Sequence, residues 1–91
     1  MTTLSPAEIA SRLTAHRDWW IEHGELVRTF QFKTFPDAMT FVNKVAGLAE
    51  EAGHHPDIDI RYNRVRLALV SHDAGGLTGK DFDLAAGADR L

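Results

Sequence analysis

Histidine is the residue type in this chain best suited to chemistry at neutral pH, because an unperturbed imidazole is partly protonated there. Five occur, at His16, His23, His54, His55 and His72. His54 and His55 are adjacent and are followed by Pro56, and His72 precedes a Gly75-Gly76 break. Two imidazoles beside one ligand suit a paired proton transfer, one giving and one taking. Three could instead hold zinc with one position open. They could also be polar strand ends with no role. Neighbouring side chains on an extended segment point to opposite faces, which makes joint coordination by His54 and His55 awkward. Glu50, one turn before Gly53, and Asp81 are plausible partners for the imidazoles, although Glu50 could be merely solvated and Asp81 could serve only as a helix cap. His16 and His23 read as surface residues, and Tyr62, Trp19 and Trp20 as core or interface.

The elements that must position these residues can be read from pattern. Ser5-Pro6-Ala7-Glu8 is a capping box with proline in the first turn, opening a helix that should fade near Arg17. Residues 19–22 and 25–33 read as a hairpin around His23-Gly24, with Leu26, Phe30 and Phe32 on one face and Val27, Thr29 and Gln31 on the other. Thr34 and Asp37 can cap a second helix, and Gly53 can stop it. Between them Ala38, Phe41, Val42, Val45, Ala46, Ala49 and Ala52 recur at helical spacing. Pro56 disfavours helical angles at His55, and Ile58, Ile60 and Tyr62 then alternate at strand period. Asn63 fits a turn into a strand carrying Val65, Leu67 and Leu69. Gly75-Gly76 reads as a strand-to-helix turn needing positive φ, with anion docking at the following helix as the less favoured use. Thr78 to Asp81 forms another capping box, opening a helix through Leu84, Ala85 and Ala88.

Helix, hairpin, helix, hairpin, helix predicts an α+β fold, with about four antiparallel strands and three helices on one face of the sheet. The start of the third strand and the end of the fourth then lie side by side. That places His54, His55 and His72 at one edge, while the open face or edge of the sheet stays available to a partner.

The 91 residues read as one domain, 1–91, since two would each be too small for a core without staples. There is no cysteine, which excludes disulfides, a thiol nucleophile and a cysteine-based zinc site. Ten basic residues, scattered against thirteen acidic ones, give a net charge of −3 and no footprint for nucleic acid. No apolar run is long enough for a membrane span, and MTTLSPAEIA lacks the pattern of a signal peptide. A cytoplasmic protein is the expectation.

One constellation goes further than composition. Glu50, three residues, His54-His55-Pro56, five residues, Tyr62, nine residues, His72, eight residues and Asp81 resemble the signature of the pterin-4a-carbinolamine dehydratases. At residue frequencies of order 5%, seven such positions at fixed spacing would arise by chance in far less than about one in a million chains. The resemblance extends over Trp19, Leu26, Arg28, Phe30, Phe32, Phe35, Ala38, Phe41, Val45, Ala46 and Ala49, and over Gly76-Leu77-Thr78 and Leu84-Ala85. It implies a hydro-lyase that converts 4a-hydroxytetrahydropterin to quinonoid dihydropterin, recycling the cofactor of aromatic amino-acid hydroxylases. It implies His54 and His55 as the acid–base pair and His72 as the group that orients the pterin at its hydroxyl. Glu50, Pro56, Lys80 and Asp81 become supporting or substrate-binding residues. No metal and no separate cofactor are implied, because the pterin is the substrate. A homodimer or homotetramer is implied as well. Ile58 stands where animal members often carry tryptophan, and Gly53 where some members are acidic, so the pocket walls differ. A non-catalytic scaffold or assembly factor on the same fold is the alternative.

Overall fold

Ser5 starts the first helix as its sequence predicts. In the computed structural model, which describes residues 2–91 and so omits only Met1 of the assigned domain, Ser5 Oγ accepts from the Glu8 N–H at 3.1 Å. Glu8 Oε1 accepts from the Ser5 N–H at 2.9 Å. Helix α1 (Pro6–Leu13) ends earlier than the expected limit near Arg17. From Thr14 onward the backbone N–H groups bond three residues back, Ala15 to Arg12 and His16 to Leu13. Those tight turns carry the chain to Trp19, whose indole is buried in the core.

Strands β1 (Trp20–Glu22) and β2 (Glu25–Gln31) form the first hairpin. His23 and Gly24 both have positive φ, at 50° and 77°, the twist that matches a two-residue hairpin turn. Helix α2 (Phe35–Ala52) is capped by Thr34 Oγ1, which accepts from the Asp37 N–H. Its buried stripe is Ala38, Phe41, Val45 and Ala49. Ala46 and Ala52, expected in that stripe, are exposed. Ala46 lies off the buried stripe, while Ala52 is the last residue of the helix and borders a hollow against α3.

Strands β3 (Asp57–Arg61) and β4 (Arg64–Leu69) make the second hairpin. Tyr62 belongs to the turn, not to the strand, with φ of 53° and 70% exposure. Asn63 holds that turn against β2, its side-chain amide donating to Phe32 O at 2.7 Å. Helix α3 (Gly79–Asp89) closes the chain behind the predicted Thr78 capping box.

The four strands form one antiparallel sheet in the order β1-β2-β4-β3. Leu26 faces Leu69, Arg28 faces Leu67 and Phe30 faces Val65 across the central pair. That face packs with Phe41 and Val45 of α2 and Phe82, Leu84 and Ala85 of α3 in a single core cluster. The opposite face carries Thr29, Arg64 and Arg66, the polar phase of the alternation. Helix α3 comes close to α2 at Gly87, where a Cβ would lie 2.7 Å from Leu48 Cδ2. His16, read as a surface residue, is half-buried against Phe82, with ring centroids 5.7 Å apart, because the turns after α1 bring it under the start of α3. Trp20 and Tyr62 are exposed, so of the three large aromatics assigned to core or interface only Trp19 is in the core.

The last residue of α3 ties both ends of the molecule together. Trp19 Nε1 donates to both Asp89 oxygens at 3.0 Å, and Arg28 Nη1 donates to Oδ1 at 2.7 Å while lying over the Phe30 ring. Asp89→Ala is expected to lower the unfolding free energy by about 1–3 kcal/mol, the scale of losing charge-assisted bonds to a buried donor, read by urea denaturation. At α1, the Ser5 backbone and side-chain bonds hold the Glu8 carboxyl below its usual value of 4.5. A depressed carboxylate stabilises above its unfolded pKa and loses that contribution as pH falls through the folded value. Protection of the α1 amides from hydrogen exchange should therefore be level above that range and drop below it, and Glu8→Ala should abolish the step.

Candidate functional site

The end of α2 sets the position of the paired histidines. Gly53 takes the left-handed conformation, φ 64° and ψ 30°, which glycine adopts without a Cβ penalty. Its N–H donates to Glu50 O at 3.3 Å, and the His54 N–H donates to Ala49 O at 3.1 Å. This pair of bonds is the Schellman ending of a helix, and it makes His54 the first residue past the turn. Pro56 then leads into β3, so His54 and His55 lie in the short link between helix and strand.

The two rings go to different carboxylates. His54 Nε2 lies 2.5 Å from Asp81 Oδ1, with the imidazole 13% exposed and the carboxylate fully buried. His55 Nε2 bonds Glu50 Oε2 in the open, the two side chains being 62% and 78% exposed. Glu50 reaches His55 because it lies on the last turn of α2, just before the helix stop.

Asp81 is the third residue of the α3 capping box, and its second oxygen is also occupied. Oδ2 accepts from the Thr78 N–H at 2.9 Å and from Ser71 Oγ at 2.9 Å. Ser71 and Thr78 hydroxyls lie 2.8 Å apart, both buried. A carboxylate taken out of water needs such donors to offset the cost of its desolvation. A carboxylate only accepts, so opposite Asp81 the His54 ring donates from Nε2, which leaves the Nδ1 lone pair free.

His72 arrives by a separate route. Ser71 bridges Gly76, and its carbonyl accepts from the N–H groups of Ala74 and Gly75, folding residues 71–76 into a tight loop. Gly75 supplies the positive φ of 80° expected of the Gly-Gly turn. His72 is exposed on this loop. Together His54, His55, His72 and Lys80 line an open cleft of about 340 Å³, completed by Gly53, Val70 and Asp73. Glu50, Pro56 and Asp81 do not line the cleft, and the two acids each hold one imidazole. His54 and Lys80 also border a hollow of about 260 Å³ between α2 and α3, floored by Leu48, Ala52, Leu84 and Gly87. Among the described residues no group of three or more His, Cys, Asp or Glu converges as metal ligands would. Likewise, no helix is long and apolar enough to cross a membrane.

Ser71 is the residue that sequence reasoning passed over. Its only signal is a hydroxyl at the end of an apolar strand, beside His72 and ten positions before Asp81. Thr78 was legible, but only as a cap.

The geometry can be set beside known proteins. The family model described as "Pterin 4 alpha carbinolamine dehydratase" matches residues 2–91. A protein from Chloroflexus aurantiacus, named provisionally a pterin-4-alpha-carbinolamine dehydratase, is 64% identical over 91 residues, covering 100% of this chain and 98% of that one. A protein of the same provisional name from Acidobacterium capsulatum is 59% identical, over 100% of this chain and 99% of its own. Among solved structures, a transcriptional coactivator/pterin dehydratase from Brucella melitensis superposes with a TM-score of 0.94 at 31% identity, covering 98% and 97% of the two chains. A pterin dehydratase-like protein described as a RuBisCO assembly factor in the alpha-carboxysome gives 0.65 at 25% identity, covering 79% and 83%.

The two histidine–carboxylate pairs differ in what they hold up. Asp81→Ala should cost about 2–4 kcal/mol of stability, because it strands the Ser71 hydroxyl, the Thr78 N–H and an imidazole in the interior. Glu50→Ala should fall within about 0.5 kcal/mol of wild type, since its pair is solvated and screened. Chemical denaturation of both variants checks the contrast.

Proposed function

The chain belongs to the pterin-4a-carbinolamine dehydratase family, and we propose that it dehydrates 4a-hydroxytetrahydropterin to quinonoid dihydropterin by histidine acid–base catalysis. The observation that carries this reading is the buried Asp81–His54 pair at the wall of a cleft that His55, His72 and Lys80 share. Dehydration of a carbinolamine removes hydroxide from C4a and a proton from a ring nitrogen, and releases them as water. One group must protonate the departing hydroxyl and another must take the nitrogen proton. No electrons are transferred, so no redox group has a step to perform.

His54 is the base in this proposal. Its proton is directed at Asp81, its Nδ1 lone pair is free, and the buried carboxylate stabilises the imidazolium formed when it accepts a proton. His55, paired with Glu50, is the acid that delivers a proton to the leaving hydroxyl. His72 orients that hydroxyl, and Lys80 faces the polar edge of the pterin. The neighbouring hollow between α2 and α3 leaves room for the pterin's side chain. Return of quinonoid dihydropterin to the cofactor cycle of aromatic amino-acid hydroxylases is the corresponding cellular role, in the cytoplasm. A homodimer or homotetramer belongs to the same proposal.

One observation favours a second reading. The RuBisCO assembly factor shares this fold, and a fold does not determine its use. On that reading the chain is a scaffold and its histidines have no substrate. Stopped-flow absorbance of 4a-hydroxytetrahydropterin separates the two. Wild type is expected to accelerate its loss, and His54→Ala, His55→Ala and His72→Ala are each expected to slow turnover by about 10²–10⁴-fold with folding intact. A wild-type rate equal to the uncatalysed one would remove the dehydratase reading and leave the scaffold.

A further inference from the structure

Ser71 touches no part of the cleft's ligand space that the mechanism uses, yet it is buried, polar and bonded to the one carboxylate behind His54. The directions of its bonds follow from the number of protons available. An ionised Asp81 only accepts, so the single Ser71 hydroxyl proton goes to Oδ2 at 2.9 Å. Ser71 Oγ, 2.8 Å from Thr78 Oγ1, must then accept from the Thr78 hydroxyl. Thr78 Oγ1 in turn accepts from the Lys80 N–H at 3.3 Å. The result is a one-way chain: Lys80 backbone to Thr78, Thr78 to Ser71, Ser71 to Asp81, with His54 bonded to the other carboxylate oxygen.

We infer that Ser71 is a positioning residue for the proposed acid–base reaction, setting the plane of the Asp81 carboxylate and through it the tautomer and orientation of His54. Without Ser71, the only hold on the carboxylate that is independent of the imidazole itself is the Thr78 N–H on Oδ2. The Ser71 hydroxyl supplies a second donor to the same oxygen from a different element, the end of the β4 segment, and so defines the plane. Rotation of Asp81 would turn Oδ1 away from Nε2 and remove the preference for a proton there. Ser71 also begins the 71–76 loop through its backbone, so one residue ties the carrier of His72 to the support of His54.

This inference rests on the dehydratase reading for its kinetic arm only, since the state of the His54 ring can be observed without turnover. Ser71→Ala should reduce kcat by about tenfold, the scale of one hydrogen bond to a charged group, with KM changed less than about twofold. In 15N–1H spectra of imidazole-labelled protein, wild-type His54 should show the Nε2–H tautomer. In Ser71→Ala its two nitrogens should move toward averaged shifts. Ser71→Thr retains the hydroxyl and should restore both readouts. Ser71→Cys, of similar shape with only a weak donor, should fall between and serves if the alanine variant does not fold. Folded Ser71→Ala or Ser71→Cys protein with unchanged kcat and unchanged His54 nitrogen shifts would overturn the assignment. If wild type has no dehydratase activity, the nitrogen shifts still decide whether Ser71 sets the His54 tautomer.

Discussion

A carboxylate with no access to water dictates much of this molecule. Leaving an ion unpartnered in the interior costs several kcal/mol even after relaxation, so Asp81 is viable only where donors surround it. The Thr78 N–H comes from the start of α3, the Ser71 hydroxyl from the end of the β4 segment, and the His54 ring from the turn after α2. Three separate parts of the fold therefore converge on one side chain. The tight 71–76 loop and the Schellman ending of α2 bring two of those donors within reach. What looks like an ordinary helix cap is also the partner of the His54 imidazole.

The same constraint divides the two adjacent histidines. His54 turns inward to a buried partner and has its proton placed for it. His55 turns outward to Glu50, where water screens the pair. An acid and a base need different surroundings to play different parts at one pH. On the dehydratase reading, one buried and one solvated carboxylate partner provide that difference. The sheet register completes the arrangement, since β3 and β4 run side by side and deliver His72 to the rim where His54 and His55 emerge.

Much of this could be read in the residues themselves. Ser5 and Thr78 announced their helices by capping boxes, Gly53 announced a stop, and Val65, Leu67 and Leu69 alternated as a strand with one buried side. These signals are local, and local chemistry is what sequence displays. The differences are equally physical. Helix α1 stops at Leu13 because the burial of Trp19 and the tight turns before it compete with one more helical turn. Tyr62 fits the alternating pattern yet stands in the turn, since a two-residue loop is enough to reverse the chain. Ala46 and Ala52 share the helical spacing of the core stripe, but alanine is equally at home uncovered. His16 is half-buried because α3, remote in sequence, packs over it. In the site, the cluster of histidines was legible from strand order, whereas the division of Asp81 to His54 and Glu50 to His55 was not. That division depends on side-chain direction, and Ser71 depends on it entirely.

The central claim is that the buried carboxylate places the proton on His54 and so makes the ring a competent base. Stopped-flow dehydration of 4a-hydroxytetrahydropterin by Asp81→Asn, beside wild type, tests it most directly. Asparagine keeps the shape and can keep bonds within the interior, but it neither carries the charge nor enforces the tautomer. The kcat of this variant is expected to be lowered by about 10²–10⁴-fold in a protein whose circular dichroism matches wild type. A folded Asp81→Asn protein that turns over at the wild-type rate would contradict it.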